Sequence, residues 1–336
     1  MKRILSAIFI FVLGAGSVYL LLNFFPKETQ APPFINQIKP RPLDKYTIEN
    51  LSYSDIPMSQ IEIAETVKDE VGFSSLTFSF NLDPALTGKE KKKVTGLLNI
   101  PKGEGPFPLV VMFRGYVDQE IYKTGDGTKR AGEYFASNGY ITIAPDFLGY
   151  GGSDAEAGSI FESRFQTYTT ALTLLKSLDS IDKWDKKNTL IWGHSNGGQI
   201  ALTVLEVTQQ PYPTVLWAPV SKPFPYSILY YTDESEDRGK LIRRELAKFE
   251  ELYDPDLYAI DLNYHKIKAP IELHQGTNDD AVPAIWSEEL ANSLLNLKLD
   301  LNYYVYQKAD HNLNLSWDVV VARNIVFFHK HLTNTF

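Results

Sequence analysis

The sequence predicts an α/β fold: a mainly parallel central sheet with helices on both faces, antiparallel N-terminal strands and a helical lid insertion. Three features predict it. Short β-rich segments open the body of the chain, strand-like and helix-like segments then alternate, and one charged helical segment interrupts the alternation. Hydrophobic residues make up 44% of the 336 residues, which is enough to bury a sizeable core and excludes disorder over most of the chain.

The predicted elements follow one another in a regular order. Antiparallel strands are predicted at residues 61–65, 75–80 and 94–101, and further strands at residues 109–113, 141–144, 189–192, 214–217, 271–274 and 303–306. Helix-length segments lie at residues 128–137, 162–178, 198–208, 284–297 and 317–331. Alternating strands and helices imply right-handed crossovers, and the chemistry of such sheets belongs at the carboxyl ends of the strands.

One segment interrupts this alternation. Residues 221–263 begin with a proline-rich loop and continue into a charged, amphipathic helix over residues 237–252. Its place between two predicted strands indicates a lid that shapes the substrate site. A surface helix that only packs on the domain is the alternative.

Residues 1–25 are predicted to be an N-terminal membrane anchor. Lys2 and Arg3 precede a run without charged residues, and a helix over residues 4–25, roughly 33 Å long, spans a bilayer core of roughly 30 Å. With both cations held inside, the rest of the chain faces the extracytoplasmic side. Cleavage of the segment as a signal peptide, which would make the protein secreted, is the alternative.

The remainder of the chain divides into two parts. Residues 26–45 contain repeated prolines and predict a semi-extended linker, and residues 46–336 form the predicted catalytic domain. The net charge of −8 gives no basic field for a polyanion, so no nucleic-acid partner is expected. With no cysteine in the chain, a cysteine nucleophile, thiolate metal sites and disulfides are excluded, and covalent catalysis must use oxygen or nitrogen.

A G-x-S-x-G pattern centred on Ser195 lies directly between a predicted strand and a predicted helix. In that context a sharp turn exposes the serine, and Gly193 and Gly197 remove side chains that would clash. The helix that follows directs its amide dipole at the same point, which suits a developing negative charge. A phosphate-binding loop is the weaker alternative, because no lysine is near. Ser195 is therefore the predicted nucleophile.

A serine hydroxyl needs a base and a group that orients that base. Of the six histidines, His311 lies in a polar loop between the last strand and the last helix, whereas His194 sits inside the turn and is expected to point away from Ser195. Asp279 and Asp280 are adjacent carboxylates in the loop after a strand; Asp279 is the first choice and Asp280 the substitute. The order serine, aspartate, histidine is the one expected for hydrolases with this type of sheet.

These motifs resemble the catalytic domain of the prolyl oligopeptidase family within the α/β-hydrolase fold. The resemblance spans residues 94–332 and rests on the segments at residues 193–198, 274–283 and 310–311. It implies that Asp279 is the catalytic aspartate and that the backbone amides of Asn196 and Tyr116 form the oxyanion hole. Arg114 stands where oligopeptidases can have a tyrosine donor. The resemblance does not assign a role to Arg114.

The sequence thus predicts a serine hydrolase that acts through an acyl-enzyme, without a metal or organic cofactor. Because of the resemblance, a serine-type peptidase that cleaves short peptides is the first choice. The segment before residue 94 is too short for the β-propeller that peptidases of this family usually carry, so a carboxylic ester hydrolase is the alternative. A catalytically silent, membrane-tethered binding module is the second alternative. The predicted partners are a small-molecule or short-peptide substrate and the membrane; the oligomeric state is not predicted.

Overall fold

The computed structural model describes residues 39–232, 235 and 237–333. The chain divides into one unit of residues 1–40 and another of residues 41–336, so the packed domain starts within the predicted linker. No helix in the described residues is long and apolar enough to cross a membrane. The predicted anchor, residues 1–25, lies outside the described residues.

A nine-stranded sheet forms the centre of the domain and confirms the predicted fold class. Its strands are β1 Glu62–Asp69, β2 Phe73–Leu82, β3 Lys92–Pro101, β4 Phe107–Phe113, β5 Ile141–Pro145, β6 Trp184–His194, β7 Thr214–Trp217, β8 Ile271–Gly276 and β9 Leu301–Tyr306. Their order across the sheet is β1-β2-β3-β5-β4-β6-β7-β8-β9. Strands β1 to β3 are antiparallel, β3 pairs antiparallel with β5, and every pair from β5 to β9 is parallel.

Eight α-helices surround this sheet in the described part of the chain. They are α1 Ile48–Tyr53, α2 Lys129–Ser137, α3 Ile160–Lys176, α4 Asn196–Thr208, α5 Tyr226–Leu229, α6 Lys240–Glu250, α7 Ala284–Asn296 and α8 Trp317–Lys330. Local chemistry marks some of their ends. The Ser159 hydroxyl accepts a hydrogen bond from the Glu162 amide and caps the N-terminus of α3.

Alternating residues of the central strands pack into two separate cores, one on each face of the sheet. In β4, Leu109, Val111 and Phe113 belong to the larger core. Val110 and Met112 lie between them and belong to the second core, next to α2 and α8. Side chains of a strand point alternately to opposite faces, so a strand covered on both sides reads as a continuous apolar run. This explains why the central strands could be predicted from the sequence.

The strand order reverses beside β4, and such a reversal marks the edge of the sheet where a ligand site is expected. The chain passes from β4 to β5 on one side and then returns to β6 on the other. Phe113 pairs with Gly193, so β4 and β6 end side by side. The loops that leave neighbouring strands in opposite directions open a crevice at their carboxyl ends, which is where ligands bind to sheets of this type.

The insertion at residues 221–263 is partly a packed element and partly a cover. Phe224, Phe249 and Tyr258 are buried against α3, and the Tyr258 ring stacks on the Phe165 ring with centroids 4.8 Å apart. Helix α6 therefore does pack on the domain, as the alternative interpretation expected. The part around α5 lies nearer to the crevice.

Glu206 on α4 is a buried acid without a hydrogen-bond partner. Its side chain is fully buried, and neither carboxylate oxygen has a partner among the described residues. Burial raises the pKa of Glu206 well above its usual 4.5, although Lys266 acts in the opposite direction. The carboxyl group is therefore protonated in the folded chain over a pH range in which the unfolded chain has ionised it.

This raised pKa makes the stability of the domain pH-dependent in a known direction. Folding takes up a proton at Glu206, so the free energy of unfolding falls as the pH rises from 4.5 through the folded-state pKa. Glu206→Met should raise the free energy of unfolding at pH 8 by about 1–3 kcal/mol, and by less at pH 5. Chemical denaturation at both pH values measures this. Glu288→Met on an exposed face is the control, and a loss of stability in Glu206→Met at both pH values would contradict the interpretation.

Candidate active site

The turn between β6 and α4 holds Ser195 in a backbone conformation that residues other than glycine rarely adopt. Ser195 has φ 55° and ψ −122°. Its amide donates a hydrogen bond to the Trp217 carbonyl at 2.9 Å, and its carbonyl accepts one from the Val220 amide at 2.9 Å. The end of β7 and the loop that follows it thus hold both peptide groups, and the turn has the sharp strand-to-helix form that exposes a serine.

Two glycines allow the loop after β4 to approach this turn closely. A Cβ on Gly197 would lie 1.9 Å from the Phe113 carbonyl oxygen. A Cβ on Gly115 would lie 2.9 Å from the Cβ of Ser195 and 3.4 Å from its Oγ. Both positions therefore exclude a side chain unless the backbone moves. The loop that carries Tyr116 packs directly against the predicted nucleophile.

His311 and Asp279 meet at the carboxyl ends of β8 and β9. The His311 Nδ1 lies 2.9 Å from Asp279 Oδ2 and 3.0 Å from Oδ1. A carboxylate oxygen accepts hydrogen bonds, so the Nδ1 of His311 carries a hydrogen, and in the neutral tautomer of this ring Nε2 has the lone pair. Asp280 is exposed. Of the two adjacent aspartates, the structure therefore brings Asp279 to His311.

The buried Asp279 carboxylate is kept ionised by its donors. Its Oδ1 accepts from the amides of Ala281 at 2.9 Å and Val282 at 2.8 Å, and its Oδ2 accepts from the Gln275 side-chain amide at 3.0 Å. Burial opposes ionisation, but the hydrogen bonds from His311 and from these two backbone amides outweigh it and hold the pKa of Asp279 below its usual value. The Ser287 hydroxyl donates to Gln275 Oε1 at 2.7 Å and fixes the orientation of that amide.

His194 holds the backbone of His311, a role that the sequence did not indicate. Its Nε2 lies 3.0 Å from the His311 carbonyl oxygen, and the two rings have centroids 4.6 Å apart. Burial, and then the neighbouring His311, lowers the pKa of His194 to about 4. The ring is therefore neutral at neutral pH, and its Nε2 donates to the carbonyl. The residue before the nucleophile thus positions the loop of the base.

Arg114 anchors the loop that carries Tyr116. Its Nη1 donates to the Gly115 carbonyl at 2.9 Å and its Nη2 to the Asp146 carbonyl at 3.0 Å. The guanidinium also lies 3.9 Å from the centre of the Tyr150 ring. Arg114 is buried. It therefore supports the predicted oxyanion loop from behind.

Asn196 and Tyr116 line one cavity of about 140 Å³. Helix α4 begins at Asn196, whose amide is among the first of the helix and has no partner within it. In the described part of the chain, the Tyr116 amide makes no hydrogen bond, and the Tyr116 side chain is 78% exposed. Both predicted oxyanion residues therefore line the same cavity.

An aromatic cluster joins the insertion to α7. Tyr226, Tyr230 and Tyr231 surround Trp286 on α7, and the Tyr230 ring lies 4.7 Å from the Trp286 ring in an edge-to-face arrangement. The pKa of Tyr231 is raised by burial, by Tyr230 and by Asp279, and lowered by Arg164. The Arg164 Nη2 donates to the Ser227 hydroxyl at 3.3 Å and its Nη1 to the Asn196 side chain, so this end of the insertion lies near the start of α4.

The comparison of sequences identifies the family. A family model described as the prolyl oligopeptidase family matches residues 129–335, which include Ser195, Asp279 and His311. The chain belongs to the prolyl oligopeptidase family. The match begins after the loop that carries Tyr116. A search of curated protein sequences finds no match.

Solved structures show that this family member has the α/β-hydrolase fold. Acetyl xylan esterase from Paenibacillus sp. R4 is 19% identical with a TM-score of 0.63, and the match covers 87% of this chain and 94% of that one. Acetyl xylan esterase 1 from Thermoanaerobacterium sp. JW/SL YS485 is 17% identical with a TM-score of 0.55, covering 84% and 94%. A puromycin-hydrolysing peptidase from Mycobacterium tuberculosis is 19% identical with a TM-score of 0.54, covering 82% of this chain and 39% of that one.

Together, family and fold make this protein a serine hydrolase of the α/β-hydrolase type. They leave peptidase and esterase activity open, because the structural neighbours are mostly esterases. The geometry brings Asp279 to His311, and Asn196 and Tyr116 to one cavity. The catalytic roles of these residues and of Ser195 stay predictions.

Proposed function

We propose that this chain is a carboxylic ester hydrolase that works through an acyl-enzyme on Ser195. His311 accepts the proton of the Ser195 hydroxyl as the oxygen attacks the ester carbonyl, and Asp279 stabilises the resulting imidazolium. The oxyanion accepts hydrogen bonds from the amides of Asn196 and Tyr116. His311 then protonates the departing alcohol, and water repeats the sequence to release the acid and restore Ser195.

The observation that carries this proposal is the pairing of the buried Asp279 with His311 beside the strained turn. The hydrogen bond from Nδ1 to Asp279 leaves Nε2 of His311 as the base. The turn fixes Ser195 between the oxyanion loop and the start of α4. A silent binding module would need none of these costly features, namely a positive φ at a serine and a buried carboxylate, and both are present.

Two further observations favour an ester over a peptide substrate. The fold match covers 94% of the acetyl xylan esterase from Paenibacillus but only 39% of the puromycin-hydrolysing peptidase, so the esterase resembles this chain over more of its length. Within the described residues, the cavity beside Asn196 and Tyr116 contains two arginines and one carboxylate, Glu156. This charge pattern disfavours the ammonium group of a short peptide.

A peptidase is the second candidate function because the family match includes all three predicted triad residues. This candidate shares every catalytic step with the first, except that the leaving group is an amine.

Turnover of matched esters and amides separates the two functions. With the full-length protein, 4-nitrophenyl esters of short acids should be hydrolysed with a kcat/KM at least about 100-fold above that for aminoacyl- and prolyl-4-nitroanilides, since an amine is the poorer leaving group and no site is offered for a peptide ammonium. Absorbance at the nitrophenol and nitroaniline bands measures both reactions.

Ser195→Ala is the control for this comparison. It should abolish ester turnover and labelling by a fluorophosphonate probe. Efficient cleavage of the prolyl anilide would instead support the peptidase. Absence of both turnover and labelling in the wild-type protein would support a silent binding module.

We also propose that residues 1–25 anchor the protein in a membrane, with the catalytic domain on the extracytoplasmic side. The uncharged run after Lys2 and Arg3 supports this proposal. The full chain should fractionate with membranes and resist carbonate extraction, whereas a chain that starts at residue 26 should not. Recovery of a shortened mature chain in the medium would indicate a cleaved signal peptide instead.

A further inference from the structure

The cavity beside Asn196 and Tyr116 has more positive than negative charge in its wall. Arg114, Arg164 and Glu156 contribute the charged side chains, and Gln166 and Thr167 add polar atoms. In the part of the chain that the structure describes, neither arginine has a carboxylate within ion-pair distance. A cavity of this kind favours an anion, because the residues of its wall include two cations and only one carboxylate.

Arg164 on α3 is the more accessible of the two cations, and its side chain is held in place by neutral acceptors. Its Nη1 donates to Asn196 Oδ1 at 3.2 Å, and its Nη2 donates to Ser227 Oγ at 3.3 Å and also to the Gln199 side-chain oxygen. The buried Nε has no partner among the described residues. A guanidinium has five N–H donors, so the buried Nε–H and one Nη1–H of Arg164 make no hydrogen bond in the described part of the chain.

The position of the cavity indicates which part of a substrate would enter it. Tyr116 and Asn196, which directly follows Ser195, contribute to its wall, but the residues that line it include neither Ser195 nor His311 and its loop. The leaving group must lie within reach of His311, because that ring protonates it. The group that extends away from His311, past the oxyanion amides, is the acyl chain.

The size of the cavity limits the length of that chain. Its volume is about 140 Å³. A cavity of roughly 150 Å³ holds one benzene molecule, a ligand of six carbon atoms. A short acyl chain with an anionic end therefore matches both the volume and the charge.

We propose that this cavity binds a carboxylate at the far end of a short acyl chain, and that Arg164 is the residue that recognises it. The substrates would then be monoesters of short dicarboxylic acids. This inference rests on the proposed ester hydrolase activity. Lys222 and the other exposed cations do not line the cavity. The preference for an anionic acyl chain therefore depends on Arg164 and on the buried Arg114.

Two esters of equal chain length test the proposal in the full-length protein. The 4-nitrophenyl monoester of adipic acid carries a terminal carboxylate, and 4-nitrophenyl hexanoate does not. The ratio of their kcat/KM values should fall at least about tenfold in Arg164→Gln, mainly through KM for the anionic ester, because a charge-assisted hydrogen bond is lost. Arg164→Lys should keep part of the ratio. Arg244→Gln, at an exposed arginine on α6, should leave the ratio unchanged.

A purely structural role for Arg164 would give a different result. Loss of its hydrogen bond to Asn196 would lower turnover of both esters by the same factor, and an unchanged ratio in Arg164→Gln would overturn the proposal. Melting curves with adipate and with adipamide give a readout that needs no turnover. Adipate should raise the melting temperature of the wild type but not of Arg164→Gln, and adipamide should raise neither. If adipate does not raise the melting temperature of the wild type, the proposed anion site is refuted. If adipate raises it but neither ester is hydrolysed, only the proposed ester hydrolase function is refuted.

Discussion

The positive φ of Ser195 is the constraint on which the site depends. A serine adopts this conformation only when its surroundings enforce it. Here Trp217 and Val220 hold its peptide groups, and the loop after β4 closes over it at Gly115. The reversal of strand order between β4 and β6 is what brings these segments together. The packing of segments on the parallel sheet therefore stabilises the strained backbone conformation of Ser195.

The same packing fixes the charges around the turn. Asp279 is ionised within the protein because two backbone amides, Gln275 and His311 all donate to it. His194 directly precedes Ser195 at the end of β6, and its ring donates a hydrogen bond to the backbone carbonyl of His311. One short stretch of chain thus carries the nucleophile and also holds the loop of its base. A shift of His194 or Ser195 would therefore disturb both the nucleophile and the loop that carries His311.

Much of this arrangement could be predicted from the sequence. The central strands are buried on both faces and appear as apolar runs, so their number and order along the chain were correct. The turn at Ser195 was predicted because its glycine pattern has a local steric cause. Asp279 is the first choice over Asp280, and the resemblance to the family implies the same aspartate. The structure brings Asp279 to His311.

Other features could not be predicted, because they depend on contacts between distant segments. Nothing local marks Gln275, whose amide reaches Asp279 only after the loop has folded, or Arg164, which meets Asn196 from another helix. The ring of His194 was expected to point away from Ser195 but was not expected to bind the His311 backbone. The insertion was predicted as a lid, yet Phe224 and Phe249 pack in the core, since an amphipathic pattern shows that a face is buried but not what covers it.

Close packing at Gly115 is proposed to position the Ser195 nucleophile, and the rate of Ser195 modification in a Gly115 variant tests this most directly. In Gly115→Ala the added Cβ would lie 2.9 Å from the Ser195 Cβ, so the serine or the loop that carries Tyr116 must shift. The second-order rate of labelling by a fluorophosphonate should fall at least about tenfold, which corresponds to about 1.4 kcal/mol, while the melting temperature changes little. Gly158→Ala, where the added Cβ meets nothing within 4 Å, should label like the wild type. Labelling of Gly115→Ala at the wild-type rate would contradict the claim that this close packing positions the nucleophile.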